Sequence, residues 1–570
     1  MSSSNTELSN LITGGCMVEL KLEMSPRECD VAEVRTATPS EVEAQTDVDT
    51  SGTGAPQTIQ NGGYPSYQLR SAPYKRIQHP VDKSLFVSFI GSIFFLLISL
   101  VLFCPGLVVY LVLLPIGYFI KKSLALCCCC CCCSENRFCT SCDTEYMSQS
   151  DAFWLHSDPL NVAVYQALFV LEKGLDASSI RTLLNTRLVG AEDKNHRKLY
   201  PRFSQRIIRL YSGYAWIKDG RFSIDNHVIS MPDTIVNQET LTEHVGQLAG
   251  KALSLDKPLW EIHVRTNYGV DQDTVILFRI HPCLSDGVSL VRLLFKSLIS
   301  DWRDNGSLSL KPRFGHVAFA FNCMRAVFSG PVVLLRKWLF VWQDYNLVHV
   351  PRLSGRKVVA WSEPYNMAKA DRIKNVTRST LNDVLLAVTS GILRTYFQKH
   401  GVAHPFDINA FIPVDFQTDG SCAVDMHNRY ALVDVPLPTN TEGTIPRLWE
   451  VRHHMDVLKN SADSVVLYGC VRLLGYLMPE NLYHKVWQRI YSKASCFVTS
   501  LQGPDTELTF CSCVIKNMVS WMPTRANVAL SISFLSYADQ LRMSVIADSA
   551  VITEPQILTN DFVAEVRRQQ

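Results

Sequence analysis

The stretch Thr274-Val275-Ile276-Leu277-Phe278-Arg279-Ile280-His281-Pro282-Cys283-Leu284-Ser285-Asp286-Gly287 joins two periodic patterns through a short loop. Its first half is an apolar run rich in β-branched and aromatic residues, which predicts a buried strand. Beyond Gly287, apolar residues recur at helical spacing, at Val288, Val291, Leu294 and Leu298. A strand that passes through a polar loop into a helix is therefore predicted, with the loop side chains at one end of a sheet.

Comparable patterns recur along the chain from about residue 145 onward. Apolar residues at helical spacing predict helices at 241–252 and 385–396, and apolar runs at 528–534 and 541–547 predict strands. The apolar stretch 331–342 is interpreted as a crossover packed in the core, with membrane contact as the alternative. Helices that alternate with strands predict a mixed α/β fold.

Composition limits the class of protein. The chain has 570 residues, of which 47% are hydrophobic and 19% charged, with a formal net charge of +2. That balance supports a sizeable core, and without a basic stripe or metal-finger spacing no nucleic-acid partner is expected. Residues 1–80 are rich in Ser, Thr, Glu, Gly and Pro, which predicts a disordered N-terminal region.

A long uncharged segment covers residues 84–120. As one continuous helix its 37 residues would reach roughly 55 Å, well beyond a hydrocarbon core of about 30 Å. Basic residues flank it on both sides, which is typical of cytoplasmic ends: Lys75, Arg76, Lys83, Lys121 and Lys122. A membrane hairpin with both ends cytosolic is predicted, and a single tilted transmembrane span is the alternative.

The juxtamembrane stretch 121–144 is rich in cysteine. Seven of the nineteen cysteines form the run 127–133, and adjacent cysteines are poor disulfide partners. We predict reduced, cytosol-facing thiols that are palmitoylated, with an unmodified apolar stretch as the alternative. Cys139 and Cys142 would supply half of a zinc site, but no second well-spaced pair follows, so no metal is expected.

The segment Pro258-Leu259-Trp260-Glu261 followed by His281 and Asp286-Gly287 resembles the wax ester synthase/diacylglycerol acyltransferase family, whose motif is His-His-x-x-x-Asp-Gly. Further blocks in the family's order extend the resemblance from about residue 145 to 567. These blocks are Ser150-Asp151-Ala152-Phe153, Pro201-Arg202-Phe203, Gly355-Arg356-Lys357, Asn382-Asp383-Val384, Asn428-Arg429-Tyr430, Pro436-Leu437-Pro438, Gly503-Pro504 and Ser536-Tyr537.

The resemblance implies a fold and an activity. It implies two domains like chloramphenicol acetyltransferase, at 145–325 and 371–570, joined by a crossover at 326–370, with the site in the channel between them. Acyl-CoA would be the co-substrate, with no resident cofactor. The acceptor would be diacylglycerol or a long-chain alcohol, giving triacylglycerol or wax ester. The protein would work in the endoplasmic reticulum membrane beside membrane lipid, with the catalytic part cytosolic. The plasma membrane and lipid droplets are alternatives.

The resemblance also implies roles for individual residues. The second motif histidine is the general base in the family, the aspartate (Asp286) braces the loop through an ion pair, and Gly287 lets the backbone turn into the helix. Ser285, Asn382 and Asp383 are expected to contact substrate, although Asn382 has the alternative role of capping its helix.

The position of the second histidine is Pro282 in this chain, and proline has no titratable group. Three alternatives follow: His281 acts as the base, positioning and an oxyanion site suffice, or the protein binds lipid or acyl-CoA without converting it. Cys283 is conceivable as a nucleophile but has no evident partner base. His263 and His427 are interpreted as structural.

Overall fold

The computed structural model describes residues 145–569, apart from 157, 211–212, most of 300–342, 417–425 and 479. It also describes scattered helical positions between 94 and 123. The predictions for 1–80, for nearly all of 84–120 and for the cysteine run therefore lie outside the described residues. Within the described ranges, no helix combines the length and the apolar character needed to cross a membrane.

Strands and helices alternate throughout this part, as the patterns predict. The strands, in chain order, are β1 Glu145–Tyr146, β2 Tyr165–Leu171, β3 Gln205–Leu210, β4 Gly213–Lys218, β5 Val228–Ser230, β6 Trp260–Tyr268, β7 Asp273–Ile280, β8 Lys357–Trp361, β9 Tyr365–Asn366, β10 Ile408–Asp415, β11 Tyr430–Leu437, β12 Cys496–Gln502, β13 Thr509–Phe510, β14 Cys513–Trp521, β15 Leu530–Tyr537 and β16 Gln540–Asp548. The helices are α1 Gln149–Ala152, α2 Ala177–Leu184, α3 Gln238–Ala249, α4 Gly287–Leu298, α5 Met367–Thr377, α6 Leu381–Lys399, α7 Thr444–Asn460, α8 Asp463–Leu477, α9 Glu480–Tyr491 and α10 Gln556–Arg568.

Two large mixed sheets organise these elements. The first is six-stranded, in the order β13-β14-β2-β7-β6-β5, and the second is seven-stranded, in the order β11-β10-β12-β15-β16-β8 with β9 paired to β16. A small sheet, β1-β4-β3, lies apart from them. The mixed α/β prediction is confirmed.

The strand and helix on either side of the motif form as predicted. All eight residues of β7 are buried, because β2 and β6 pair with it on its two edges. Its two faces belong to two core clusters, one with residues of α4 and the other with residues of α3. The helix α4 begins at Gly287 and is capped by Asp286, whose side chain accepts the Ser289 N–H. Such a cap contributes about 1 kcal/mol to helix stability.

The second half has its own core. Helix α6 is buried nearly all round, and its apolar residues belong to the core formed with the second sheet. The strands β15 and β16 form a hairpin whose turn residues Ala538 and Asp539 both have positive φ, at 48° and 57°. In the crossover, Val333 packs against Ala462 and Val466, which agrees with core packing of that part.

The division at 326–370 needs a correction. The strands β13 and β14 come from the C-terminal half but belong to the first sheet, where β14 pairs antiparallel with β2. Conversely, β8 lies within the predicted crossover and already belongs to the second sheet. Strand patterning reports which faces are buried but carries no information about the partner strand, so the exchange was missed.

Candidate functional site

A cavity of about 370 Å³ lies where the two large sheets approach each other. This volume is within the range usual for small-molecule sites. Its lining includes residues from β2, β7, α4 and β14 on one side and from α6, β10, β11 and β12 on the other. The predicted place of the site, between two domains, agrees with this position.

One part of the cavity wall is apolar and another is polar. Six apolar residues lie on β7 and α4, namely Phe278, Ile280, Val288, Leu290, Val291 and Leu294, and the other strands and the position after β14 add Ala167, Pro413, Leu501, Trp521 and Met522. The polar residues come from both halves of the chain and are Tyr165, Gln166, Asp286, Asn382, Asp415, Tyr430, Thr499, Ser500 and Ser520. A long hydrocarbon chain with one polar end matches this division.

The loop 281–287 is held from below by a buried ion pair. Arg202 Nη2 lies 3.1 Å from Asp151 Oδ2, and the side chains are 3% and 0% exposed. Arg202 also donates to the carbonyl oxygens of Leu284, at 2.7 Å, and Met426. Burial would raise the pKa of Asp151, but its contact with His427, the charge of Arg202 and the hydrogen bonds from Asn428 hold it below its usual value.

Asn428 connects the same network to the proline. Its Nδ2 donates to the carbonyl oxygen of Pro282 at 2.8 Å and to Asp151 Oδ1 at 2.9 Å. The blocks containing Asp151, Arg202 and Asn428, which are far apart in sequence, thus converge beneath the motif loop. His427, beside them, has its Nδ1 2.9 Å from Arg202 Nη2, which agrees with a structural role.

His281 is buried and committed to its own loop. Its Nδ1 accepts the Cys283 N–H at 3.2 Å, so in the neutral ring the hydrogen resides on Nε2. Burial, with the nearby positive charge of Arg525, lowers the pKa of His281 to about 3. Among the described residues that line the cavity, neither His281 nor Pro282 is included. The low pKa of His281 and its position outside the cavity lining both disfavour proton abstraction by His281 at neutral pH.

The next residues of the loop are also buried away from the cavity. Cys283 and Ser285 are fully buried, and neither is among the described residues that line the cavity. Burial raises the pKa of the Cys283 thiol well above its ordinary value, so the thiol stays protonated, which disfavours a nucleophilic role. The expected contact of Ser285 with substrate stays a prediction.

Asp286 and Gly287 do reach the cavity. Besides capping α4, Asp286 accepts the backbone N–H of Arg429 through Oδ2 at 3.4 Å, which connects the motif loop to the second half. Asp286 thus supports the loop through backbone contacts, and the ion pair expected of it stays a prediction. A Cβ at Gly287 would lie 3.8 Å from the Tyr165 ring, an ordinary contact, so the backbone there is not sterically tight.

Two phenols meet at the polar end of the cavity. Tyr165 begins β2 and Tyr430 begins β11, so the pair bridges the two sheets beside Asp286. Burial raises the pKa of both phenols, and the Asp286 charge adds to the rise. Both therefore remain protonated, and the hydrogen bond between them, which lowers the pKa of Tyr165 and raises that of Tyr430, has Tyr430 as its donor. The role of Tyr165 could not be predicted from sequence, because the first residue of an apolar strand gives no distinctive signal.

The residues at the start of α6 have separate roles. Thr380 caps the helix in a reciprocal capping box with Asp383, whose Oδ2 accepts the Thr380 N–H at 2.8 Å. The alternative that Asn382 caps the helix is therefore wrong, and Asn382 instead lines the cavity. Asp383 is 1% exposed and its carboxylate serves the helix start, so the structure favours a structural role for it.

The remaining candidate residue, His263, is not among the described residues that line the cavity. His263 lies 3.4 Å from Glu261, which also pairs with Arg279 at 2.6 Å, in agreement with a structural role. Within the described ranges, no cluster of three or more potential ligands is suited to a metal ion.

Comparisons with known proteins find similarity to the same family. Residues 147–318 match the wax ester synthase/diacylglycerol acyltransferase catalytic domain, and residues 426–568 match the WS/DGAT C-terminal domain. The chain is 23% identical over 412 residues to the O-acyltransferase WSD of Acinetobacter baylyi, covering 64% of this chain and 84% of that protein. It is 22% identical over 446 residues to wax ester synthase/diacylglycerol acyltransferase 10 of Arabidopsis thaliana, covering 66% and 89%.

A solved structure shows a similar fold. The wax ester synthase/diacylglycerol acyltransferase from Marinobacter aquaeolei VT8 superposes with a TM-score of 0.53 at 15% sequence identity, covering 74% of this chain and 98% of that one. The expected pair of acyltransferase-type α/β domains agrees with this likeness.

Proposed function

Because the chain belongs to the wax ester synthase/diacylglycerol acyltransferase family of O-acyltransferases, we propose that it transfers an acyl group from acyl-CoA to the hydroxyl of a diacylglycerol or a long-chain alcohol. One observation carries the proposal: a 370 Å³ cavity between the sheets has an apolar wall on α4 and a polar end at Asp286, Gly287 and Asn382. The acyl chain would lie along the apolar wall, with its thioester at the polar end.

The reaction needs one proton transfer. The acceptor oxygen attacks the thioester carbonyl carbon, the carbon–sulfur bond breaks, and the hydroxyl proton finally resides on the coenzyme A thiol. Tyr165 is protonated at the polar end of the cavity and accepts a hydrogen bond from Tyr430, so its own hydroxyl hydrogen is suited to stabilising the carbonyl oxygen as it gains negative charge. Since Pro282 takes the place of the imidazole base, transfer is expected to be slow.

A second candidate function is favoured by the same substitution. With Pro282 in the base position and the Nδ1 of His281 committed to Cys283, a protein that binds lipid or acyl-CoA without turnover is also consistent with the geometry. The two functions differ in whether any ester forms, which a direct assay measures.

The test restores the missing imidazole. The full-length chain, Pro282→His, Pro282→Ala and His281→Ala are expressed in cells that lack neutral-lipid synthesis, and their membranes receive labelled acyl-CoA with each acceptor. General base catalysis contributes about 10²–10⁴-fold, so Pro282→His should exceed the parent and Pro282→Ala by about 10²-fold or more. Pro282→Ala controls for loss of the proline ring, and His281→Ala should retain the parent rate.

Each result distinguishes the candidates. Slow ester formation by the parent supports the acyltransferase. No ester from the parent together with ester from Pro282→His supports the binding protein with a disabled site. If neither forms ester from either acceptor, the transfer proposal is wrong. A strong loss in His281→Ala with normal folding would restore His281 as the base.

We further propose that the protein works at the cytosolic face of the endoplasmic reticulum membrane, with lipid droplets or the plasma membrane as alternatives. The uncharged segment 84–120 with basic flanks supports this location. Fractionation of cells expressing the full chain and a chain lacking 84–120 tests it, since loss of the segment should release the protein from membranes. Equal membrane association of both chains would contradict the role of the segment.

A further inference from the structure

Three strands of the first sheet present rows of side chains to the cavity. In β2, β7 and β14, residues that stand opposite each other in the register share one face of the sheet, and every second residue of a strand returns to that face. The first row is Tyr165 with Ile280, and the second row is Ser520, Ala167 and Phe278. All five residues line the cavity. The cavity therefore extends along this face of the sheet for two rows.

The third row of the same face is closed. It consists of Met518, Phe169 and Ile276, which are 2%, 6% and 0% exposed and belong to the same apolar core as Phe278. None of the three is among the described residues that line the cavity. The ring centroid of Phe169 lies 5.1 Å from that of Phe278. The second row contains two small side chains, whereas all three side chains of the third row are large, so the space ends between these rows.

The helix α4 gives a second measure of the cavity. Its lining residues begin at Gly287 and end at Leu294, which lie about 10 Å apart along the helix axis at 1.5 Å per residue. Leu298, one turn further on the same side of the helix, is 1% exposed and is not among the described residues that line the cavity. From Tyr165 to Phe169 the strand β2 spans about 13 Å. Both walls thus indicate a similar length, measured from the polar end.

This length limits a straight hydrocarbon chain. Carbon–carbon bonds of about 1.5 Å advance an extended chain by about 1.3 Å per carbon. An acyl chain whose thioester lies at the polar end would therefore reach the third row after about eight to ten carbons. A longer chain would meet the ring of Phe169, in a core whose close packing leaves no space for it.

We propose that Phe169 is a specificity-determining residue that ends the acyl site, so that the cavity prefers medium-chain acyl groups of about eight to ten carbons. This inference rests on the proposed acyl transfer, which assigns the chain in the cavity to acyl-CoA, but binding alone tests it. Phe169 takes no part in the exchange of bonds and limits chain length by filling the space beyond the second row.

The test measures how the affinity for acyl-CoA depends on chain length. Saturated acyl-CoAs from butanoyl to octadecanoyl displace tritiated hexanoyl-CoA from the full-length protein in detergent. Each buried methylene should increase the affinity about four-fold, so the affinity of the parent should rise up to about ten carbons and then stop rising. Phe169→Ala opens one further row of about 7 Å, so the rise should continue to about fifteen carbons. Hexadecanoyl-CoA should therefore bind this variant at least about ten-fold more tightly than the parent.

A matched control lies on the same strand. Leu171 follows Phe169 on the same face of β2, is 0% exposed and belongs to the same core. Leu171→Ala also leaves a void, but Phe169 separates this void from the cavity, so the chain-length limit should stay that of the parent. Hexanoyl-CoA, whose chain ends before the third row, should bind the parent and both variants equally, which checks that they are folded. Partition of long chains into micelles is the same for all proteins and cancels in the comparison.

A second variant shifts the limit in the opposite direction without creating a void. Ala167→Leu fills the second row, so the affinity should stop rising at about five carbons. Decanoyl-CoA should then bind at least about ten-fold more weakly than to the parent. This variant tests the proposal even if Phe169→Ala does not fold.

The outcomes separate this proposal from the proposed function. A parent affinity that keeps rising to octadecanoyl-CoA, an unchanged limit in folded Phe169→Ala, or an equal shift in Leu171→Ala overturns the role of Phe169. A limit that moves as expected in a protein that forms no ester supports the acyl site and contradicts acyl transfer. Ester formation with the same chain-length profile in the parent and Phe169→Ala overturns the specificity role while leaving the transferase intact. Absence of binding by every acyl-CoA contradicts both.

Discussion

The two ends of the loop 281–287 have opposite environments. At its beginning, His281, Pro282 and Cys283 are buried and lie outside the cavity lining, with the His281 ring hydrogen-bonded back to the loop. At its end, Asp286 and Gly287 line the cavity and start α4. Seven consecutive residues thus include one part that serves the architecture and another that faces the cavity.

This difference shows that a family motif can be retained for its role in the fold even when the residue expected to act as the general base is replaced. The carbonyl oxygens of Pro282 and Leu284 accept hydrogen bonds from Asn428 and Arg202, and these contacts do not depend on the side chain at position 282. The loop therefore keeps its course with proline in the base position. Architecture and chemistry are separable here, and substitutions test each of them.

The largest effect is expected from the support beneath the loop. Arg202→Met leaves the buried carboxylate of Asp151 without its cation, which should lower the free energy of unfolding by about 3–5 kcal/mol. Denaturant unfolding of the full-length protein in detergent measures this change. The control is Lys399→Met, which breaks the partly exposed pair with Asp561 and should cost less than about 1 kcal/mol. Similar losses in both variants would contradict the role assigned to the Arg202 network.

A smaller effect, dependent on pH, is expected from His281. Its pKa of about 3 in the folded protein lies below the ordinary value of 6.5, so above pH 6.5 it contributes no pH dependence. Below pH 6.5 the unfolded chain binds a proton that the folded chain resists, and stability should fall by about 1.4 kcal/mol per pH unit, or about 2 kcal/mol by pH 5.

The variant His281→Asn isolates this contribution, because the amide oxygen retains an acceptor for the Cys283 N–H. Unfolding free energies of the parent and the variant are compared at pH 7 and pH 5. The variant should lose about 2 kcal/mol less than the parent over this interval. Identical losses in the two proteins would show that His281 titrates normally in the fold.

The smallest effect is expected from a residue that lines the cavity beside Asp286. Tyr430→Phe removes one protonated phenol from the polar end of the cavity and should lower the turnover of the Pro282→His protein about ten-fold, with little change in stability. The matched control is Tyr483→Phe. The Tyr483 hydroxyl donates to the Val471 carbonyl, and Tyr483 is not among the described residues that line the cavity. Equal rates for Tyr430→Phe and its parent would exclude Tyr430 from the reaction.

The elements around the motif were predictable from sequence because their periodicity is local. The strand at 274–280, the helix beyond Gly287 and the hairpin near residue 538 all have the burial patterns that the apolar spacing indicates. The convergence of Asp151, Arg202 and Asn428 was visible only as an ordered set of blocks. Their contacts span 51 to 277 positions along the chain and follow from the tertiary fold.

The cavity itself was only partly predictable. Asp286 was predicted from the motif and Asn382 from the block that begins α6, and both line the cavity, whereas Tyr165 and Gln166 lie in an apolar strand and were not predicted. Which side chains of a strand end reach a cavity depends on the sheets that pack beside it. The inward or outward direction of His281 likewise depends on a loop whose course cannot be derived from strand alternation.

The exchange of β14 between halves has a consequence for how the chain is made. During synthesis, β2 and β7 emerge early, but the strand that covers the outer edge of β2 is supplied by residues 513–521. Until then the edge of β2 presents unpaired backbone groups, which are prone to join strands of other molecules. The N-terminal half is therefore a dependent folding unit that needs the C-terminal half or a chaperone, and a fragment ending near residue 325 should aggregate.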